Sequence, residues 1–413
     1  MIARVVLPRW IRRAALMALA IAPLAAVGLC STAYAQTVVT LTPLTTFGSN
    51  GWVAPGTLGE LVTTDNSQRG MAVNPINGNV ILPVRSSGTA GNNVWVLNAT
   101  TGTVNGMLTP PGGGYSGGLF LINNAGVGAD GAVYVGNLAA TAASAFKAYK
   151  WASDSDFSTP ATVAYSGTFA AGGAPRFGDA FAVYGSGTSA IFATAGSNST
   201  VANVNSYFAV GSLDGLNTRT AFTQVINSST STAGNNGFRL GLSFTSGTSL
   251  LGTQGSVLYS TTFSSTVSAN VASGTGWSAA MRPISYLNLS GTAYVATIDT
   301  NSSTVSVFNI SNPATPLLSG TGNATVGPQN ANGNATGGIG WGPFLGNDLN
   351  GNPQYTLYAM NTNNGIQAFT VTFAAVPEPS TWALLATAAG LGGLAGLRRR
   401  SGSGRSRRSG AAN

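Results

Sequence analysis

Short apolar strands recur along most of this chain in sets of three, and each set opens with small residues. The sets start near positions 70, 125, 177, 238, 282 and 339, about 44 to 61 residues apart. Segments rich in glycine, asparagine and serine separate the strands, and no amphipathic helix interrupts the pattern. A repeat of this length in an all-β sequence is typical of the blades of a β-propeller. We therefore predict an all-β fold, a six- or seven-bladed β-propeller, over residues 36–375.

Turn signals and a possible closing strand refine this prediction. Four pairs tolerate the positive φ that tight hairpin turns require; they are Asn77-Gly78, Asp130-Gly131, Asp214-Gly215 and Asn350-Gly351. The strand from Thr37 to Thr42 is expected to close the ring by pairing with the last blade, which removes an exposed edge. A seventh blade, built from Gln36 to Leu61 and C-terminal strands, is the alternative. A β-solenoid is disfavoured because its repeats are shorter than about 30 residues.

The formal net charge of +8 comes from the two ends of the chain. Four arginines precede residue 14 and six follow residue 397, which leaves eight basic and nine acidic residues between 36 and 375. Nucleic-acid binding requires basic residues clustered on the binding domain, so this distribution excludes a nucleic-acid partner. Residues 36–375 also contain no cysteine and no histidine. We therefore expect no disulfide, thiol nucleophile, histidine-based metal site or cofactor.

The N-terminus has the three parts of a secretory signal peptide. A basic segment ends at Arg13, an apolar segment covers residues 14–29, and Ala33 and Ala35 supply the small residues that signal peptidase needs. Cleavage after Ala35 would make residues 1–35 the signal peptide and Gln36 the first residue of the mature chain. The single cysteine, Cys30, lies inside the removed segment.

A short polar motif near the C-terminus is followed by an apolar run over residues 382–397 and then by Arg398, Arg399 and Arg400. The motif is Val376-Pro377-Glu378-Pro379. Its prolines prevent a helix from continuing across it, and the arginine cluster resists crossing a membrane. As a helix the apolar run would measure about 24 Å, short of a hydrocarbon core of about 30 Å, so it suits transient rather than permanent anchoring.

This order of motif, apolar segment and arginine cluster resembles the bacterial PEP-CTERM sorting signal over residues 376–400. The resemblance implies that an exosortase-type enzyme cuts near Pro377-Glu378-Pro379, after transient anchoring in the membrane. It also implies that the protein is exported to the cell surface or extracellular matrix. Residues 401–413 extend beyond the pattern as a basic tail, and a plain C-terminal tail anchor is the alternative. The stretch from Leu61 to Asn79 is similar to the opening repeat of propeller-like bacterial surface proteins that carry such tails.

Four of the eight basic residues in the body stand at the start of a predicted inner strand: Arg69, Arg176, Arg239 and Arg282. Equivalent strand ends of a propeller converge on one mouth of its channel. We therefore predict a ring of guanidinium groups that binds carboxylates of an acidic exopolysaccharide through bidentate hydrogen bonds. In the alternative, each arginine pairs with an acid of a neighbouring blade, such as Asp65, Asp179 or Asp299, and holds the ring together.

Signals for catalysis are few, because none of the nine acids lies in a recognisable motif. Two groups resemble fragments of calcium loops but lack the bidentate acid that ends one, so we expect ordinary turns there; they are Asp154 with Asp156, and Asp348 with Asn350 and Asn352. We predict a non-catalytic binding or structural protein. A polysaccharide lyase or glycoside hydrolase on the same scaffold is the alternative.

Overall fold

The computed structural model describes residues 37–375, except for 87, 89–90, 142, 170–175, 197–205, 226–237, 255, 264–268, 272–276 and 313–314. The predicted signal peptide with Ala33 and Ala35 lies outside the described residues, as do the motif from Val376 to Pro379 and the cluster from Arg398 to Arg400. Among the residues that are described, no helix is long and apolar enough to cross a membrane. The segment Val39–Ala374 forms one compact unit.

Six antiparallel sheets surround a central channel, and the fold is a six-bladed β-propeller. The inner strand of each blade lines the channel; these strands are β3 (Ala72–Val73), β7 (Phe120–Val127), β11 (Ala180–Tyr184), β15 (Gly241–Ser246), β19 (Met281–Leu289) and β23 (Gly337–Asn347). Each of them begins within five residues of a predicted repeat start, so the six-bladed arrangement predicted from the sequence is confirmed.

Three further strands complete each blade toward its outer edge. The second strands are β4 (Val80–Arg85), β8 (Val133–Leu138), β12 (Ile191–Gly196), β16 (Ser249–Thr253), β20 (Thr292–Asp299) and β24 (Pro353–Asn361). The third strands are β5 (Asn92–Leu97), β9 (Phe146–Trp151), β13 (Ser206–Ser212), β17 (Leu258–Thr262), β21 (Val305–Asn309) and β25 (Ile366–Ala375). The outer strands are β6 (Val104–Leu108), β10 (Thr162–Gly167), β14 (Thr220–Val225), β18 (Ala269–Val271), β22 (Leu317–Gly322) and, from the start of the chain, β1 (Thr37–Pro43).

The ring closes through the first strand of the chain, as predicted. Strand β1 lies beside β25 in the last blade, and the short strand β2 (Trp52–Val53) pairs with the beginning of β25. Because β1 and β2 both complete this blade, the segment from Gln36 to Leu61 builds no seventh blade, and that alternative was wrong. Val39 and Leu41 of β1 are buried in the core of the last two blades, so closure also buries apolar surface.

Small residues let the inner strands pack closely around the channel. Gly338 contacts Met71 and Gly340 contacts Val73, which shows that β23 and β3 run in the same direction. In the same way Asn124 donates to the carbonyl of Asp179 while Gly126 contacts Val183, so β7 and β11 also run in one direction. Inner strands of neighbouring blades therefore begin at one end of the channel and finish at the other.

The hydrophobic core lies mostly between blades. One aromatic cluster fills the space between the second and third blades and includes Phe146, Tyr165, Phe181 and Phe192. Trp341 also packs between blades, since it is buried and donates its indole N–H to the Ser285 carbonyl of the preceding blade. The aromatic residues that recur along the sequence thus hold neighbouring sheets together.

Candidate functional site

The channel has a volume of about 480 Å³ and is lined by residues from all six inner strands. We call the end at which the inner strands begin the arginine face, since Arg69, Arg176, Arg239 and Arg282 stand there. Asp179 precedes β11 at the same end and is the acidic residue among those that line the described channel.

Three of the four predicted arginines converge on this one carboxylate. The Arg176 Nη2 atom lies 2.7 Å from Asp179 Oδ1, and the Arg239 Nε atom lies 3.1 Å from Oδ2. Arg69 Nη2 is 3.6 Å from Oδ1. These arginines belong to the first, third and fourth blades. Arg69 and Arg239 are each 60 or more positions away from Asp179 in the sequence, and only Arg176 is close to it. The structure therefore brings together a site that no local spacing in the sequence defines.

Burial makes the electrostatics of this group strong. The side chain of Asp179 is fully buried and that of Arg69 is 5% exposed, whereas Arg176 and Arg239 are each 28% exposed. Burial lowers the pKa of Arg69; Asp179 acts in the opposite direction, and the positive charges of Arg176 and Arg239 lower the pKa further. A guanidinium group is so basic that it stays charged at neutral pH even with a lowered pKa. Three cations thus share one anion in a partly desolvated recess.

Two asparagines of β7 fix the position of Asp179. The Asn123 side chain donates to the Gly178 carbonyl at 2.6 Å, and Asn124 donates to the carbonyls of Gly178 and Asp179 at 2.9 and 3.0 Å. Gly178 has a φ of +103°, a conformation that favours glycine. These asparagines were not predicted from the sequence. Two adjacent amides in an inner strand, where small apolar residues are expected, were the available signal.

Arg85 is a further cation that was missed. It ends the buried strand β4 at the arginine face, stacks over the Phe120 ring at 3.7 Å and donates to the Asn66 carbonyl at 2.5 Å. Burial, followed by the positive charge of Arg69, lowers the pKa of Arg85 to about 10. An arginine at the end of an otherwise apolar strand was the signal for a buried cation.

Arg282 does not join the group around Asp179. Its Nε atom donates to the Ala279 carbonyl at 3.0 Å, and the side chain is half-buried. Burial and the charge of Arg239 lower the pKa of Arg282, which places it in the same electropositive surroundings. The predicted ring is therefore a cluster of three arginines on Asp179, with Arg282 beside it.

The alternative pairing of arginines with acids holds for Asp179, which three of them share. Asp65 accepts hydrogen bonds from Thr63 and Ser67 of its own loop. Asp299 accepts a hydrogen bond from the Ser278 hydroxyl at 2.7 Å and also bonds the backbone of its own turn. The pairing is thus concentrated at one carboxylate instead of being distributed around the ring.

The cluster has more hydrogen-bond donors than acceptors. A guanidinium group carries five N–H donors, and the Nε groups of Arg69, Arg85 and Arg176 are buried without an acceptor among the described residues. The three arginines and Asp179 together carry a net charge of +2. Such a recess is suited to an incoming anion, and a planar carboxylate matches the two-donor edge of a guanidinium group.

The two acid groups that resemble calcium-loop fragments differ in role, and only the second lies in an ordinary turn as expected. Asp154 is buried and accepts hydrogen bonds from the side-chain amides of Asn74, Asn77 and Asn79, so it joins the first blade to the second. Asp348 accepts from the backbone of Asn350 and Asn352. In the described part of the chain, no group of three or more acidic, histidine or cysteine side chains is placed to hold a metal ion.

No protein-family model and no curated protein sequence matches this chain. Among solved structures, a DUF4623 family protein from Bacteroides eggerthii is similar with a TM-score of 0.54 and 14% identity, covering 75% of this chain and 72% of its own. The allergen Mala s 1 of Malassezia sympodialis has a TM-score of 0.42 and 10% identity over 76% of this chain and 95% of its own. Trypanosoma rangeli sialidase, in complex with the inhibitor DANA, has a TM-score of 0.42 and 11% identity over 74% of this chain and 55% of its own. The first similarity supports the propeller fold and carries no information on activity.

Proposed function

We propose that this protein is an exported component of the cell surface or extracellular matrix that binds acidic polysaccharide without cleaving it. The observation that carries the proposal is the cluster of Arg69, Arg176 and Arg239 around the single carboxylate of Asp179. The surplus positive charge lies at a channel mouth, where a polymer can reach it without entering the protein.

The three arginines have different parts in this proposal. Arg176 and Arg239 are partly exposed, so their free N–H groups can donate to a carboxylate of the polymer. Arg69 is buried behind them and contributes positive charge from a site that water screens poorly. A uronate-containing polymer presents carboxylates repeatedly, which raises the effective concentration once the first one has bound.

A binding role agrees better with the channel than glycoside hydrolysis does. That reaction generally uses two carboxyl groups on opposite sides of the scissile bond. The described channel lining contains one acid, Asp179, and its oxygens already accept contacts from three cations. The position of this residue favours a structural and charge-balancing role.

Replacing both exposed arginines should weaken polysaccharide binding. We expect Arg176→Gln combined with Arg239→Gln to lower the affinity for polygalacturonate at least tenfold, because charge-assisted hydrogen bonds contribute about 1.5–3 kcal/mol each. Affinity electrophoresis of the full chain through gels with polygalacturonate or neutral dextran measures this. Lys150→Gln combined with Arg219→Gln removes the same charge at the other end of the propeller and is the matched control. Equal retardation of wild type and double variant would contradict the proposal.

The two predicted targeting signals support an extracellular role for the protein. The signal peptide over residues 1–35 and the sorting signal over 376–400 together imply export, transient membrane anchoring and processing by an exosortase-type enzyme. We expect mass spectrometry of the surface protein to find a C-terminus near Pro377-Glu378-Pro379, and Glu378→Ala to leave a longer chain. An intact end at Asn413 in the wild-type surface protein would defeat the processing step.

A further inference from the structure

The charges of the propeller are divided between its two faces. The arginine face holds six cations and four acids; they are Arg69, Arg85, Lys147, Arg176, Arg239 and Arg282, with Glu60, Asp65, Asp179 and Asp299. We call the opposite end, where the inner strands finish, the acidic face. It holds five acids and two cations; they are Asp130, Asp154, Asp156, Asp214 and Asp348, with Lys150 and Arg219. The formal charges of the two faces are therefore +2 and −3, and all charged residues between 37 and 375 are included.

The acids of the acidic face are held in fixed orientations. Asp130 accepts backbone hydrogen bonds from Gly187 at 2.9 Å and Ala132 at 3.2 Å. Asp348 accepts from the backbone of Asn350 and Asn352 at 2.8 Å each. Burial acts to raise the pKa of Asp130, but its hydrogen bonds from the backbone outweigh this effect and lower the pKa. The side-chain amide of Asn352, followed by the backbone hydrogen bonds, lowers the pKa of Asp348. Both carboxyl groups therefore stay ionised down to mildly acidic pH. A carboxylate that is already ordered loses little side-chain entropy on meeting a partner.

The same face exposes large apolar side chains among these acids. Five of them lie at the ends of inner strands or in the turns next to them, and the sixth lies in the turn between β13 and β14. They are Ile76, Tyr184, Phe344, Leu345 and Leu349, with Leu216 as the sixth. Phe344 is 53% exposed and Leu349 is completely exposed. The long hairpin of β23 and β24 carries both of them on the acidic side of the channel. Apolar groups surrounded by polar ones mark protein interaction surfaces more often than ordinary surface.

We propose that the acidic face of one copy of this protein docks on the arginine face of a second copy, head to tail. Complementary charge favours this partner surface. The acidic face, with a formal charge of −3, repels a second acidic face and attracts the arginine face, which has a formal charge of +2. The two faces differ, so the contact is heterologous and leaves one free face of each kind at the ends of the stack. Repetition of the contact builds an open stack of propellers, a form suited to a matrix component.

Head-to-tail docking is argued from different observations than polysaccharide binding, but both interactions use the arginine face. An acidic polymer and a second acidic face would compete for Arg176 and Arg239, which are the partly exposed members of the cluster. Soluble polygalacturonate should therefore disperse the stacks. Neutral dextran should leave them intact.

Sedimentation velocity of the full chain tests the assembly. We expect oligomers at about 50 mM salt and mostly monomers at about 500 mM, where the screening length falls to a few ångströms. Asp130→Asn combined with Asp214→Asn and Asp348→Asn should raise the dissociation constant at least tenfold, since asparagine keeps the turn acceptor and removes the charge. Asp65→Asn, which removes an acid from the arginine face, should leave association at least as strong. A chain that is monomeric at every salt concentration would overturn the proposal.

The basic tail needs its own variant, because it too can attract an acidic face. We expect assembly to persist when all six arginines after residue 397, those of the stop cluster and of the tail, are replaced by glutamine; they are Arg398, Arg399, Arg400, Arg405, Arg407 and Arg408. Loss of assembly in this variant would identify the tail as the partner and overturn the docking of the arginine face.

Cross-linking establishes the polarity of the contact. With Cys30 replaced by serine the chain has no thiol, so Val326→Cys marks the arginine face and Leu349→Cys marks the acidic face. A set of bis-maleimides of increasing length should give a ladder of multimers only when one chain carries both cysteines. Dimers of either single variant would indicate a symmetric contact and overturn the head-to-tail arrangement. Failure of self-association with retained polygalacturonate binding removes this inference alone, whereas the reverse result removes the proposed function alone.

Discussion

Replacing Asp179 with alanine is expected to lower the free energy of unfolding by about 3–5 kcal/mol, the range found when one partner of a buried ion pair is removed. The side chain of Asp179 is fully buried, and Arg69, Arg176 and Arg239 all contact it. Without its charge, Arg69 would remain buried and uncompensated beside two further cations. Urea unfolding of the full chain, followed by tryptophan fluorescence, measures the loss.

Matched variants separate charge from packing in this experiment. Asp179→Asn keeps the size of the side chain and should show most of the loss, because the missing charge is its main cause. Asp130→Ala removes an exposed acid from the opposite face and should have a much smaller effect. A loss below about 1 kcal/mol for Asp179→Ala would mean that the arginines move apart into water, contrary to their burial.

An added anion should partly restore the Asp179→Ala variant. Acetate fits the space left by the aspartate side chain and returns a carboxylate to the three arginines, so it should raise the urea midpoint more than chloride does at the same ionic strength. A ligand that binds the folded state and not the unfolded state always stabilises the folded state, so this increase is expected if acetate occupies the cluster. Equal effects of the two salts would indicate general screening, and the cluster would then lack a specific affinity for carboxylates.

The sequence predicted the propeller because strands with a two-residue period and Asx-Gly turns are local features. The glycines of all four turns, among them Gly78 and Gly131, adopt positive φ as expected. The outer strand of each blade was harder to recognise. Strands such as β22 and β6 are exposed along much of their length, so their alternation of apolar and polar residues is weak.

The arginines of the site were predictable, but their common partner was not. Arg69, Arg176 and Arg239 stand just before inner strands, and the propeller geometry brings such positions to one mouth. Asp179 contacts all three arginines because the loop at Gly178 and the amides of Asn123 and Asn124 hold it in place. These two asparagines belong to another blade. Arg282 lies within a shift of register between Met281 and Ile284, and the sequence does not show where such a shift directs a side chain.

The aromatic cluster between the second and third blades links the stability of the fold to this site. Phe192 is fully buried and packs against Tyr165 at 4.7 Å, Phe146 at 5.4 Å and Phe181 at 5.9 Å between ring centroids. Phe181 belongs to the same cluster as Phe177. These two residues flank Asp179 in the sequence, so the packing of their rings fixes the backbone that carries the shared carboxylate.

Phe192→Ala should therefore weaken both stability and binding. We expect a loss of about 3–5 kcal/mol in the free energy of unfolding, because truncation of a buried phenylalanine removes apolar contacts and leaves a cavity. Tyr184→Ala, on the same blade but 43% exposed, should cost much less. At a temperature where Phe192→Ala is still folded, its affinity for polygalacturonate should also fall, since a loosened Phe181 no longer holds Asp179 and its arginines in place. Unchanged affinity in a destabilised variant would show that the asparagines of β7 suffice to position the site.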